Sequence, residues 1–330
     1  MSNRPSRRSF LKISGTSLGI GVLYSAFPSS VLATPQGNHL LDYLQKSNGE
    51  AVAPFSFVQL SDAHVGFNGP PDPLGTKAFE RAVELINHLP NRPDLVLFTG
   101  DLTHDSEDTD VRAKRFRQFQ EIAGQIQAGK VLYVPGEHDA GIDNGALYHE
   151  LLGESYYSFD HRGVHFVALD NVSRAKPEVG SEQLTWLKKD LARYPKSAPI
   201  IVFTHRPLFD LKPEWEWFTS DGDAVMNVLA PYENVTVLYG HIHRDHEHHE
   251  GHVNHYGARS LIFAFPDPEQ VADKKPAAFN PAQPFLGLGI RTVQAQAPAG
   301  TVSVRDVELT LREYSGINGI HQLLKEPLVG

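Results

Sequence analysis

The chain has 330 residues, 41% apolar and 21% charged, with 17 histidines and no cysteine. That is enough chain to bury a sizeable core, in one large domain or two small ones. A formal charge of −9 argues against a nucleic-acid-polymer binder with a basic surface. The lack of cysteine excludes disulfides, thiolate metal sites and a catalytic thiol, so any metal must sit on nitrogen and oxygen donors.

The first segment reads as targeting. Arg7-Arg8 precede Phe10, Leu11 and Lys12; a weak apolar stretch rich in Gly and Ser follows, and small residues end at Ala33. Residues 1–33 resemble a twin-arginine signal peptide, cleaved after Ala33. A membrane anchor is the alternative, but the stretch is shorter than the ~20 residues a spanning helix needs. No later segment is long and apolar enough to span a bilayer. The expected location is therefore periplasmic or extracytoplasmic, reached already folded through the twin-arginine export machinery, with residues 34–330 as a single domain.

Residues 34–54 read as a polar lead-in. Phe55–Ser61 is a short apolar run that stops at Asp62. Residues 76–89 place Ala78, Ala82, Leu85, Ile86 and Leu89 at helical spacing. A second buried strand, 94–100, stops at Asp101. A helix follows with Phe116, Phe119, Ile122 and Ile126 on one face, then a third strand over 130–136. Residues 156–170 read as a hairpin turning at Arg162-Gly163, and 181–194 as a helix opening at Ser181. Strands at 198–205 and 234–243 end in histidines, and 252–266 looks like two short strands. Residues 266–285 are Pro- and Ala-rich and read as a surface loop. The tail alternates as antiparallel strands about a turn at 297–300. Buried strands alternating with helices, then late hairpins, predict an α/β fold: a mixed β-sheet sandwich flanked by helices, in four layers α/β/β/α.

Five strands end in polar residues: Asp62-Ala63-His64, Gly100-Asp101, Gly136-Glu137-His138-Asp139, His205, and Gly240-His241-Ile242-His243. Singly, each is an ordinary loop residue or helix cap. Together, and beyond the carboxyl ends of strands where α/β sheets bind ligands, they point to one site. Two-residue spacing in Asp62/His64 and His241/His243 suggests one side of an extended strand.

This order of blocks resembles the calcineurin-like metallophosphoesterase superfamily over residues 55–265, nearest the branch containing class III cyclic-nucleotide phosphodiesterases. The resemblance implies two metal ions, Mn, Fe or Zn. Asp62, His64 and His243 would hold one, and Glu137, His205 and His241 the other. Asp101 would bridge them together with a water or hydroxide that attacks phosphorus. Such ions, ~3.5–4 Å apart, acidify a bridging water and clamp the attacking and leaving oxygens. His138 is the implied general acid, an imidazole suited to protonating a leaving oxygen. Asp139 either orients it or caps the loop. His104 is a candidate for a substrate or supporting role. Arg206 and Arg244 follow ligand positions directly, but solvated surface arginines are the plainer reading.

Glu137 departs from the pattern, which has asparagine there. As a ligand it would add negative charge, favour a more highly charged ion and oppose an anionic substrate. Otherwise it points away and one ion is weakly held. A run of histidines follows the motif (His246, His248, His249, His252, His255) and reads either as a metal-binding tract or as a polar hairpin beside the site. The implied function is an exported hydrolase of small phosphate esters, of phosphodiester or nucleotide type. The alternative is a non-hydrolytic periplasmic metal-binding or metal-sensing protein.

Overall fold

The computed structural model describes residues 53–297 and 300–310; the expected signal peptide lies outside them, as does part of the turn at 297–300. The central strands are buried on both faces, and their side chains alternate between two cores, which builds the layers. In one sheet, β1 (Phe55–Leu60), β2 (Leu95–Thr99) and β3 (Lys130–Val134) are parallel, while β10 (Gly289–Gln296) and β11 (Thr301–Glu308) add antiparallel strands on one side. Its order is β11-β10-β1-β2-β3. In the other, β5 (Val164–Ala168), β6 (Pro199–Phe203), β7 (Asn234–Tyr239) and β9 (Val253–Gly257) are parallel, with β4 (Tyr157–His161) and β8 (His246–Glu250) antiparallel at the edges. That sheet runs β4-β5-β6-β7-β9-β8.

Odd residues of β1 and β2 (Phe55, Phe57, Leu95, Leu97) meet Phe166, Ala168, Ile201 and Phe203 between the sheets. Their neighbours Val58, Leu60, Val96 and Phe98 face outward under α1 (Lys77–Asn87) and α2 (Thr109–Ala123), against Phe79, Phe116 and Phe119. On the far side, Ile200, Val202, Val235 and Val237 pack on Leu187 and Leu191 of α5 (Ser181–Leu191) and on Val225 and Leu229 of α6 (Gly222–Leu229). Two mixed sheets flanked by helices result, as the alternation predicts. Each fully buried Phe contributes about 1.5–3 kcal/mol through burial.

The parallel strands β1, β2, β3, β6 and β7 deliver the polar ends to one rim of the sandwich. The run His246–Glu250 is the edge strand β8, paired with β9 as the polar hairpin that is one of its two readings. Of the two strands expected over 252–266 only β9 forms. Residues 258–266 are irregular because they wrap the site, through contacts made by Leu261 and Phe263. The loop after β3 is a single helical turn, α3 (Glu137–Ala140), followed by α4 (Ala146–Leu152).

Candidate metal centre

The site begins with backbone rather than side chains. Asp62, His64, Asp101, His241 and His243 all lie in the left-handed region, with φ between 41° and 66°. Strands β1 and β7 have ended at Leu60 and Tyr239, so neither His241 and His243 nor Asp62 and His64 share a side through strand alternation. Correcting that expectation, a left-handed residue on each side of Ala63 turns both inward. The loops are stitched together by Asp62 N–H donating to Gly100 O (3.0 Å) and His64 N–H to Asp101 O (2.9 Å). Gly136 permits a close approach: a Cβ there would lie 2.0 Å from Asp101 Oδ1.

Two clusters form around a shared carboxylate. Asp62, His64, Asp101 and His243 bring donor atoms within 4.8 Å of one another, and so do Asp101, Glu137, His205 and His241. His64 Nε2 lies 3.3 Å from Asp101 Oδ2, and His243 Nε2 lies 3.3 Å from Asp62 Oδ1 and 3.2 Å from His64 Nε2. In the second cluster His205 Nε2 is 3.4 Å from Asp101 Oδ2 and 2.8 Å from Glu137 Oε2, while Glu137 Oε1 is 2.8 Å from His241 Nδ1. Donors bound to one ion at ~2.1 Å stand about 3–3.4 Å apart, so most of these spacings fit the edges of a coordination polyhedron. His205 Nε2 and Glu137 Oε2 are buried without a well-aligned hydrogen bond.

The outer contacts set the tautomers. His205 Nδ1 meets Thr99 O at 2.7 Å, His243 Nδ1 meets Phe263 O at 2.8 Å, and His241 Nε2 meets Glu216 O at 3.1 Å. A carbonyl only accepts, so each of those nitrogens carries the proton. The opposite nitrogen of each ring, the one in the cluster, can offer its lone pair to a cation. Asp101 Oδ1 accepts from His138 N–H (3.0 Å), which leaves Oδ2 to face both clusters. The donor set therefore fits two cations.

Electrostatics agree. Burial would raise Glu137, but His241, His205 and Arg206 hold it well below the usual carboxylate range. Burial raises and His243 lowers Asp62, leaving it depressed. Burial lowers His64 well below its ordinary value, and lowers His241 to about 4. Burial opposes a proton on His205, yet Asp101 and Glu137 raise it well above 6.5, so cation binding there displaces a proton.

Glu137 points into the cage, and Arg206 stands behind it. Arg206 is buried, with Nη2 3.4 Å from Glu137 Oε1 and Nη1 donating to Glu216 O (2.7 Å). It is not the solvated arginine expected; Arg244 instead pairs with Asp267 at 3.4 Å. His138 borders the cage with its ring 4.8 Å from His64 and 4.7 Å from His104, on which it stacks. His104 Nδ1 lies 3.3 Å from His64 Nδ1. The carboxylate that meets His138 is Asp105, 3.0 Å from Nδ1, not Asp139. Asp139 is turned inward and accepts from Leu102 N–H, Gly136 N–H, Thr103 N–H and Thr103 Oγ1–H at 2.8–2.9 Å. It ties the Asp101 loop to the Glu137 turn. Burial opposes the charge on His138, but Asp101, Asp105 and Glu137 raise it to about 10.

Sequence reasoning missed Asp105, although it adjoins His104, and it missed the walls. Phe263 and Phe265 flank His243, with ring centroids at 4.7 and 5.1 Å. Lys274, from the 266–285 loop, donates to Trp215 O (2.8 Å) beside Glu216, with its ammonium 5.7 Å from the Phe265 ring. No sequence motif marks these residues.

Comparison with known proteins accords with this geometry. Residues 55–245 match the family model described as calcineurin-like phosphoesterase. The chain is 28% identical over 205 residues to the 3′,5′-cyclic adenosine monophosphate phosphodiesterase CpdA of Haemophilus influenzae, covering 57% of this chain and 69% of that one. It is 29% identical over 204 residues to the serine/threonine-protein phosphatase CPPED1 of Mus musculus, covering 55% and 65%. In fold it is similar to a dimetal phosphatase from Danio rerio, with a TM-score of 0.53 at 14% identity, covering 80% of this chain and 100% of that one. Among the described residues no helix is long and apolar enough to cross a membrane. The chain belongs to the calcineurin-like phosphoesterase family, a metal-dependent phosphoric ester hydrolase.

Proposed function

We propose that the chain hydrolyses small phosphodiesters of the cyclic-nucleotide or related nucleotide type. In this reading Asp62, His64, Asp101 and His243 hold one cation, and Asp101, Glu137, His205 and His241 the other. The observation that carries it is the set of carbonyls that fix the imidazoles of His205, His241 and His243 with their free nitrogens toward a shared carboxylate. Cations bound there supply Lewis acidity, making a water nucleophilic at neutral pH and balancing charge on the phosphate.

The protein's own groups do the rest. Asp101 and Glu137 fix the donor positions, and Arg206 offsets the extra carboxylate. Water attacks phosphorus in line, and the bond to the leaving oxygen breaks. His138, held through Nδ1 by Asp105, has Nε2–H free to protonate that oxygen. The diester preference is supported by the likeness to CpdA, and by Glu137, whose charge would oppose a dianionic monoester more than a monoanionic diester.

We propose further that Arg7-Arg8 and the apolar stretch to Ala33 direct export by the twin-arginine route, so that cations are loaded before the folded protein reaches the periplasm. No observation favours a non-hydrolytic metal carrier. The test is metal analysis of purified protein together with turnover of a chromogenic diester, a monoester and a 3′,5′-cyclic nucleotide. About two ions per chain with diester turnover is expected. Bound metal without turnover of any ester would refute the hydrolytic reading. Cell fractionation of wild type and Arg7→Lys/Arg8→Lys chains tests the location.

A further inference from the structure

The metal centre leaves the histidine run beyond His243 unused. We propose that the β8–β9 hairpin carries a separate site for one transition-metal dication of the copper, nickel or zinc type, held by His248 and His255.

β8 and β9 are antiparallel, and His248 stands directly opposite His255. Directly opposed residues have Cβ atoms about 4.5–5.5 Å apart and project from one face, so two imidazoles there can reach a common ion. Their ring centroids are 5.6 Å apart. In the metal centre, the pairs His205–His241 and His64–His243 are each 5.1 Å apart.

One of the pair is also an orphaned group. His255 is fully buried, and neither Nδ1 nor Nε2 has a hydrogen-bond partner among the described residues. Buried polar atoms are rarely left so, because they lose water without gaining a partner. An ion on the lone pair would supply one. Burial, reinforced by the neighbouring imidazoles His248, His249 and His246, lowers His255 to about 3, so the ring is neutral and able to bind at neutral pH.

The other histidines of the run are engaged elsewhere. His246 Nδ1 is 2.7 Å from the Tyr239 hydroxyl, His249 Nδ1 is 2.8 Å from Asn254 Oδ1, and His252 Nε2 bonds Tyr232 O. Phe209 stacks on the face of His248 at 4.0 Å, which orients the ring and leaves its in-plane lone pair clear of that contact. His248 is only half-buried, so water can complete the coordination. Two imidazoles select borderline ions, copper(II) most strongly, over magnesium or calcium. Such an ion would pin the edge strand β8 to β9.

The experiment loads the full chain's centre with zinc, then titrates copper(II), followed by calorimetry and electron paramagnetic resonance. We expect one further ion per chain, with coupling to two nitrogens. His248→Gln and His255→Gln should each weaken it by more than about tenfold, the least a supporting partner of a ligand contributes. Zinc content and ester turnover should be unchanged, and His249→Gln should retain the ion. His248→Gln lies at the half-buried edge, so it tests the site even if His255→Gln fails to fold. Absence of the extra ion overturns the proposal, as does its survival in the His248→Gln/His255→Gln double variant. Copper lost in Glu137→Gln but retained in His248→Gln belongs to the first centre and also overturns it.

Discussion

Glu137→Gln keeps the side chain's length and one ligand oxygen but removes its charge. The carboxylate sits 2.8 Å from His205 Nε2, 2.8 Å from His241 Nδ1 and 3.4 Å from Arg206 Nη2. Three acids, Asp62, Asp101 and Glu137, face the two clusters; the variant leaves two, with Arg206 uncompensated. One unit-charge pair at 4 Å contributes about 4 kcal/mol at an effective dielectric near 20. A ligating oxygen is nearer and a dication doubly charged, but the amide oxygen still binds and Glu137 keeps some exposure. A net loss of about 3–4 kcal/mol for the ion beside His205 and His241 follows, roughly 10²–10³ in affinity. Competition against a chromophoric chelator, with metal counted after dialysis, measures it. Wild type should retain both ions where the variant retains one. At saturating metal, the less negative site should show a lower KM for anionic diesters. Metal affinity within about threefold of wild type would mean that Glu137 is not a ligand.

Four further outcomes follow from the same geometry. Asp139→Asn must present an amide to at least one of the backbone donors now satisfied; it should cost about 2–4 kcal/mol, visible as a lower Tm with and without metal. Asp105→Asn removes one of the groups that raise His138, so the alkaline limb of the kcat profile should move to lower pH; an unmoved limb would count against Asp105 as the positioning residue. Lys274→Gln should raise KM more for a dianionic monoester than for a diester with kcat held, while Lys275→Gln, whose ammonium pairs with Asp273, should change neither. His165 lies between Asp160 (2.8 Å) and Asp190 (2.7 Å); burial opposes its charge, but these acids raise it above 6.5. Its stabilisation is therefore complete below 6.5 and fades as pH rises through the raised value, so Tm should fall over that window in wild type and stay flatter in His165→Gln.

The layers were legible because the central strands are near-continuous apolar runs, buried on both faces: Phe57 and Leu97 face the other sheet, while Val58 and Val96 face helices. The rim was legible because five apolar runs stop at acids or histidines. What was not legible depends on geometry inside one turn. Asp139 and Asp105 are both one residue from a site histidine, but α3 winds Asp139 back onto Gly136 N–H and so removes it from His138. The apolar stretch around Phe263 and Phe265 has the composition of a strand. It is irregular because the Phe263 carbonyl holds His243 Nδ1 and Leu261 N–H donates to Asp62 O, contacts with no local signature. β8 was legible only as one of two readings, a polar hairpin or a metal-binding tract, because a charged, histidine-rich edge lacks the apolar alternation that marks a strand.

The intervening residue in Asp62-Ala63-His64 and His241-Ile242-His243 explains why the motifs have their spacing. Ala63 and Ile242 are buried at 1% and 0% exposure, each in a hydrophobic cluster. Their flanking residues are left-handed, at φ 55° and 41° around Ala63 and 66° and 52° around Ile242. The chain thus anchors one apolar side chain into the core and turns the polar pair to the opposite side, where cations would bind. Left-handed backbone at a residue with a Cβ costs roughly 1–2 kcal/mol, so these turns persist because the packed sheets beneath over-determine them. Bound cations offset that cost, because repulsion among Asp62, Asp101 and Glu137 falls once positive charge sits between them. The metal-loaded protein should then resist local opening of these loops more than the metal-free one, with amide exchange slowed at Ala63 and Ile242 rather than across the outer helices α5 and α6. Equal slowing everywhere would mean that the cations stabilise the fold as a whole and that the left-handed turns carry no separate strain.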